Sequence, residues 1–242
     1  MREELLAARV PTRPRTRSAP QGRVSARRHG SFRAKHVFWV AFGLLTLFVL
    51  HRYEAQFLDS RSPVWEHFAP VKWWLLPHGL AGALALFLAP FQFSARLRRR
   101  SPRLHRILGR LYVAGVAVAA PAAVPIAVIQ GPPTLVMAAV IQSAGWLLTT
   151  ALALYCVRRG NIQQHREWMT RSYPFAMVFV FARAILAIPA VGALGEVGLV
   201  SAVWSCIAAA CFVPSLVINW RAVFRRNVSD ASGGGVSSGG RT

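Results

Sequence analysis

Acidic residues are scarce in this chain of 242 residues, which holds only 8 Asp and Glu against 29 Lys and Arg. Charged residues make up 15% of the sequence, whereas a soluble domain averages about a quarter. Hydrophobic residues reach 54%. This balance excludes an ordinary soluble domain and predicts a chain embedded in a membrane.

Cysteines and catalytic motifs are also few. The three cysteines, Cys156, Cys206 and Cys211, are odd in number and lack metal-ligand spacing, so they support neither a disulfide framework nor a zinc site. The sequence contains no phosphate-binding loop, HExxH motif or nucleophile elbow. No apolar run contains a carboxylate, which argues against acid-initiated enzyme chemistry. Whether the protein is an enzyme stays open.

Long apolar runs dominate what is present. A bilayer core of about 30 Å requires about 20 apolar residues per helix. The first run is short and must extend through His51 toward Tyr53 to span the core. We predict an all-α polytopic membrane protein, a bundle of six transmembrane helices, from the runs Val37–Leu50, Trp73–Phe93, Leu111–Ile129, Thr134–Val157, Ser172–Leu194 and Val197–Trp220.

The basic residues occupy alternate connections between these runs. The N-terminal segment, the connections after the second and fourth runs, and the C-terminal tail together hold 25 of the 29 Lys and Arg. Positive charge in short loops is retained on the cytoplasmic side. We therefore expect both termini in the cytoplasm of a plasma (inner) membrane protein, and we attribute the charge to topology and membrane lipids rather than to nucleic acid.

Three regions differ in composition. Residues 1–35 are basic and rich in Pro, Ser and Gly, and residues 223–242 are rich in Ser and Gly, so neither can bury enough apolar surface to fold alone. We predict two disordered tails around a transmembrane domain of residues 36–222. The N-terminal tail is either a lipid-binding segment or a solvated topogenic one.

A few polar residues interrupt the apolar runs. Helical spacing places His78, Gln92, Gln142 and Arg183 on faces rich in small residues, which indicates that they face the bundle interior. Arg183 lies near the middle of its run, and no acid is available there to pair with it. We expect Gln92, Gln142 and Arg183 to contact a substrate, although His78 and Gln142 could instead hydrogen-bond neighbouring helices.

Two related signatures lie 60 residues apart. One begins at His105-Arg106 and ends at Tyr112, and the other begins at His165-Arg166 and ends at Tyr173. Two histidines entering different helices from one side could ligate the iron of a b-type haem, with arginines neutralising its propionates. On this interpretation His105 and His165 are the iron ligands, Arg106 and Arg171 hold anionic groups, and His78 is a second ligand or handles protons. The alternative is an interfacial belt that anchors helix ends and binds lipid phosphate.

A series of motifs in fixed order resembles a known family. It comprises His78-Gly79, Ala89-Pro90-Phe91-Gln92-Phe93, Arg96-Leu97-Arg98, Leu104-His105-Arg106, Gly109-Arg110-Leu111-Tyr112, His165-Arg166 with Trp168-Met169, Arg171-Ser172-Tyr173, and Arg183. This series is similar to the bacterial predicted membrane proteins grouped as domain of unknown function 2306, over residues 73–190. The resemblance implies a polytopic bacterial membrane protein and supplies no activity.

Two functional hypotheses follow. The preferred one is a transmembrane electron-transfer protein linked to haem b or quinone, with a quinone or a redox protein as partner, because it uses both the histidines and the arginines. The alternative is a transporter or lipid-binding protein with an Arg/His/Gln site for an anionic substrate.

Overall fold

The computed structural model describes residues 27–59 and 61–232. Most of the two predicted tails, residues 1–26 and 233–242, lies outside these ranges. Residues 27–35 and 223–232, which the composition assigned to tails, belong to the first and last helices.

The described chain consists of helices joined by short turns, and its described residues contain no strand. A π-helical turn (Leu50–Glu54) and a 3-10 turn (Ala55–Leu58) follow the first helix, and a second 3-10 turn (Ala69–Val71) precedes the third. The α-helices are α1 (Arg27–Val49), α2 (Pro63–Phe68), α3 (Lys72–Gln92), α4 (Ala95–Arg100), α5 (Pro102–Gln130), α6 (Pro133–Arg158), α7 (Ile162–Leu186), α8 (Pro189–Gly192) and α9 (Glu196–Ser232).

The described chain divides into two units, one ending at Val40 and the other beginning at Ala41. The described part of the first unit is the helical segment 27–40. The second unit contains the remaining elements and all the sites described below.

Five helical stretches of the described chain are long and apolar enough to cross a membrane. This finding confirms an all-α polytopic membrane protein. It also confirms that the first apolar run extends past Leu50. The five stretches are Val37–Phe57, Pro63–Gln92, Pro102–Gln130, Pro133–Arg158 and Glu196–Trp220.

The fifth predicted helix, Ser172–Leu194, was wrong at both ends. The structure places α7 at Ile162–Leu186, followed by a break and the short α8. Gly195, with φ +58°, turns the chain into α9. Polar and charged residues such as Arg171 and Arg183 lower the hydropathy of α7, which is not among the five apolar stretches. Because α7 packs against both α6 and α9, its buried face does not need to match lipid.

Small residues allow close packing of neighbouring helices. In the second unit α3 packs along α5, α5 along α6, and α6 along α7. A Cβ atom added to Gly115 of α5 would lie 2.8 Å from the backbone oxygen of Ala81 in α3. One added to Gly145 of α6 would lie 2.7 Å from the ring of Phe175 in α7. Glycine is therefore required where α3 crosses α5, whereas a larger residue at Gly145 would require the Phe175 ring to shift.

Candidate functional site at the α4 end of the bundle

The two histidines of the duplicated signature occupy equivalent positions. His105 and His165 are each the fourth residue of their helix, α5 and α7. The side chain of Asn161 caps α7 by accepting a hydrogen bond from the Gln164 N–H at 3.1 Å, and Pro102 opens α5. These signals start both helices at the same end of the bundle, which also holds α4 and is here called the α4 end. The prediction that this end is cytoplasmic stays a prediction.

The histidines are also close in space. His165 and Arg98 both lie within electrostatic range of the His105 ring. The Nδ1 of His165 lies 2.9 Å from the backbone oxygen of Ala153. A carbonyl only accepts, so this bond places the proton on Nδ1 and leaves Nε2 with a free lone pair in the neutral ring. Nδ1 of His105 is buried and has no hydrogen-bond partner within the described chain.

Gln92, the last residue of α3, lies near the turn of α5 that follows His105. Its side chain is 8% exposed, and its amide nitrogen has no hydrogen-bond partner among the described residues. Its amide oxygen faces Gly109, one turn beyond His105, where an added Cβ atom would lie 3.4 Å away. A buried amide donor without a partner costs about 1–3 kcal/mol. Such a group is expected at a functional site, where binding repays the cost.

Arg98 of α4 joins this group of residues. One of its guanidinium nitrogens donates to the backbone oxygen of Gln92 at 3.0 Å. Partial burial lowers the pKa of Arg98, and the positive charges of Arg166 and Arg99 lower it further. The guanidinium nevertheless remains charged at physiological pH. We call Gln92, Arg98, His105, His165 and Arg166 the α4-end cluster.

The two arginines named in the haem prediction do not belong to this cluster. Arg106 is exposed. Arg171 lies 3.9 Å from Glu167 on its own helix and stacks on the ring of Trp168 at 4.9 Å. Arg98 is thus the arginine that the structure associates with His105, and Arg166, which is exposed, lies within electrostatic range of Arg98. Their loops contain several arginines, and the spacing alone does not show which of them faces the bundle.

A network of hydroxyl groups lies directly beneath the cluster. The Tyr112 hydroxyl lies 2.7 Å from the Ser172 hydroxyl, which lies 2.8 Å from that of Thr150. The indole of Trp146 donates to Tyr112 at 3.2 Å. Tyr112 and Ser172 each lie seven residues after the histidine of their signature, so the two copies of the motif contact each other in the core. Thr150 and Trp146 were not predicted, because nothing in their spacing sets them apart.

His78 and Gln142 bind neighbouring helices. Nδ1 of His78 lies 2.8 Å from the backbone oxygen of Ala119, and the Gln142 amide donates to the backbone oxygen of Phe175 at 3.3 Å. Ala119 lies in the segment of α5 that Pro121 interrupts. Polar side chains commonly satisfy the backbone near such prolines in membranes. Both contacts match the packing alternative given for these residues.

Two predictions for Arg183 were wrong: that it lies near the middle of its helix and that no acidic residue pairs with it. Arg183 lies in the last turn of α7, at the end of the bundle opposite to α4. A nitrogen of its guanidinium lies 3.9 Å from the Glu54 carboxylate. Glu54 was not considered because the first apolar run was read as ending near Tyr53, whereas the π-helical turn extends it. His78, Gln142 and Arg183 therefore bind three different partners.

Among the described residues, no group of three or more His, Cys, Asp and Glu side chains could hold a metal ion. A pair of histidines on a haem iron would not form such a group, so the haem prediction stays a prediction.

Comparison with protein families decides the classification. A family described as predicted membrane protein (DUF2306) matches residues 75–223, which is more than half of the chain. The chain belongs to this family. The match runs beyond residue 190, where the motif resemblance ended, and so includes most of α9. No curated protein and no solved structure matches the chain significantly. The DUF2306 match covers every residue of the α4-end cluster.

Proposed function

We propose that this DUF2306 protein binds an anionic, phosphate-bearing ligand at its α4 end, and that the α4-end cluster forms the site. The observation that carries the proposal is the buried amide of Gln92, whose nitrogen has no hydrogen-bond partner within the described chain. An amide N–H in that position is a donor for an oxyanion.

The charges around Gln92 favour an anion. Arg98 and Arg166 are near enough to each other for their charges to interact unfavourably. Arg98 uses one donor on the backbone of Gln92, and a guanidinium has five. An oxyanion bound between these groups would relieve the repulsion and occupy the remaining donors. Charge-assisted hydrogen bonds of this kind are about twice as strong as neutral ones.

Two sources could supply such a ligand. A phospholipid headgroup would reach the cluster from the membrane interface, where basic residues attract anionic lipid. A soluble phosphate compound would reach it from the aqueous side, as a transported substrate would. Both present the same phosphate oxygens to the same donors, so the experiment must separate them.

The decisive variant is Gln92→Leu, which has similar volume and no polar atoms. Removing a buried, unpaired amide should leave the ligand-free protein as stable as wild type or more stable. The same change should weaken ligand binding about tenfold, the loss expected from one hydrogen bond to a charged group. Opposite effects on stability and binding distinguish a binding residue from a structural one.

The assay is thermal unfolding of the detergent-purified protein with phosphatidic acid, phosphatidylcholine or inorganic phosphate. A ligand that binds only the folded state stabilises it in proportion to its affinity. If the ligand is a lipid, phosphatidic acid should stabilise the wild type and inorganic phosphate should not. If the ligand is a solute, inorganic phosphate should stabilise the wild type as well. Arg166→Gln should reduce the effect, while exposed Arg103→Gln, the matched control, should not. Equal responses of Gln92→Leu and wild type would refute the proposal.

A second candidate function is electron transfer with a b-type haem held by His105 and His165. The hydrogen bond from His165 Nδ1 to the Ala153 carbonyl favours it, because histidines that bind metals usually donate their other nitrogen to a backbone oxygen. The haem would supply one-electron chemistry, and the nearby arginines would hold its propionates. A reduced-minus-oxidised visible spectrum of protein expressed with ample haem tests this candidate. A b-type spectrum lost in His105→Ala and His165→Ala would support it, and a colourless wild type would exclude it.

A further inference from the structure

The end of the bundle opposite to α4 holds a second group of charged residues. This end contains α2 and α8, as hydrogen bonds between its connections show: Gln130 donates to the backbone of His67, and Thr134 to Glu196. We call it the α2 end. At this end Tyr53 and Glu54 of the π-helical turn contact Arg183 of α7, and Arg52 belongs to the same turn.

The ion pair at the α2 end is incomplete. The Arg183 nitrogen and the Glu54 oxygen are 3.9 Å apart, whereas a hydrogen-bonded pair of this kind measures about 2.7–2.9 Å. The Oε1 atom of Glu54 is buried and makes no hydrogen bond within the described chain. Glu54 therefore attracts Arg183 without occupying its N–H donors.

Aromatic rings fix the guanidinium in place. The Arg183 guanidinium lies over the ring of Tyr53 at 5.2 Å and over that of Phe179 at 5.6 Å. Contacts with ring faces hold the plane of a guanidinium and leave the N–H groups at its edge available. The Arg183 side chain is 37% exposed, so a ligand can reach this edge.

The local charge selects the kind of ligand. Arg52 also lies over the Tyr53 ring, at 5.4 Å, so two guanidinium groups share this ring, and one of them, that of Arg183, is paired with the Glu54 carboxylate. The resulting charge of +1 attracts an anion, and a monoanion neutralises it. A carboxylate fits the planar N–H edge of arginine with two parallel hydrogen bonds.

We propose that Arg183 binds the carboxylate of a small organic acid at the α2 end, and that Glu54 is the internal competitor for this position. The ligand enters at the edge of the guanidinium, its apolar part lies against Tyr53 and Phe179, and the Glu54 carboxylate moves aside. The π-helical turn serves this arrangement, because it directs Tyr53 and Glu54 to the same guanidinium. Such turns occur frequently at functional sites.

The test measures benzoate binding to the detergent-purified protein by isothermal titration, with neutral benzamide as the matched ligand. Glu54→Gln keeps the shape of the side chain and removes the competing charge. It should bind benzoate at least about fivefold more tightly than wild type, the effect of removing one like charge about 4 Å away at the dielectric constant of bulk water. Benzamide should not distinguish the two proteins: its affinity for Glu54→Gln should equal its affinity for wild type.

Two further variants assign the effect to Arg183. Arg183→Lys keeps the positive charge and the attraction to Glu54 but lacks the planar pair of donors, so it should fold normally and lose benzoate binding. Glu196→Gln removes an exposed carboxylate at the same end and should bind benzoate as wild type does. Equal benzoate affinity in Glu54→Gln and wild type, no binding by Glu54→Gln, or full binding by Arg183→Lys would each overturn the proposal. None of these results depends on the α4-end cluster.

Discussion

Replacing Tyr112 by phenylalanine removes one hydroxyl from the buried network and leaves the ring in place. Tyr112 is fully buried, and its hydroxyl makes two hydrogen bonds, to Ser172 at 2.7 Å and from the Trp146 indole at 3.2 Å. Ser172 retains its bond to Thr150, whereas the Trp146 N–H loses the partner shown for it. The main loss is therefore one hydrogen bond plus the cost of a stranded indole N–H.

The expected loss of unfolding free energy is about 1–3 kcal/mol. A net hydrogen bond contributes about 1 kcal/mol in water-soluble proteins, and bonds between membrane helices average about 0.6 kcal/mol. The stranded donor adds a penalty of about 1–3 kcal/mol if nothing else satisfies it. Local relaxation around Trp146 places the total within the range given.

Equilibrium unfolding in mixed micelles with increasing SDS measures this loss. Tyr155→Phe is the matched control, because Tyr155 is 56% exposed and its hydroxyl makes no such buried contact. A double-mutant cycle of Tyr112→Phe with Ser172→Ala should give a coupling of at least about 0.5 kcal/mol. If Tyr112→Phe is no less stable than Tyr155→Phe, the network does not hold α5, α6 and α7 together, and the reasoning fails.

Two other predictions concern packing and topology. Gly115→Ala should destabilise the protein by about 1–3 kcal/mol, because the added Cβ would lie 2.8 Å from the Ala81 backbone oxygen and force α3 and α5 apart. Gly79→Ala is the control, because nothing lies within 4 Å of a Cβ atom added there. Similar thermal midpoints for the two variants would contradict the close packing of α3 on α5. The topology can be tested with single cysteines in a background without the native ones. A membrane-impermeant maleimide should label Arg61→Cys, at the α2 end, in intact spheroplasts, and it should label Arg99→Cys, at the α4 end, only after lysis. The reverse pattern would place the α4 end outside.

The interior faces of the helices could be predicted from the sequence. The faces of α3 and α6 that carry His78 and Gln142 were predicted to be interior because they are rich in small residues, and Ala85, Ala89, Ala138 and Ala153 on these faces are buried. This succeeds because helical spacing and the size of side chains are local properties of the sequence. The same spacing placed Gln92 on the buried face of α3, where the structure also has it.

The contacts between helices could not be predicted in the same way. The pair of Arg183 and Glu54 depends on where α7 ends and on a π-helical turn, and neither leaves a periodic signal. Arg98 was not singled out from the other arginines of its loop, because only the fold shows that it reaches the backbone of Gln92. The duplicated signature did indicate that His105 and His165 belong at one end, since equivalent positions open both helices.

Counting bound lipid by native mass spectrometry tests the central claim most directly. Wild type and Arg103→Gln, released from micelles containing phosphatidic acid and phosphatidylcholine, should each retain one phosphatidic acid per chain at activation energies that remove all other lipid. Gln92→Leu should retain clearly less phosphatidic acid than wild type under the same conditions and should remain folded. Two results would contradict a phospholipid site at the α4-end cluster. In the first, Gln92→Leu retains as much phosphatidic acid as wild type. In the second, the wild type shows no preference for phosphatidic acid over phosphatidylcholine.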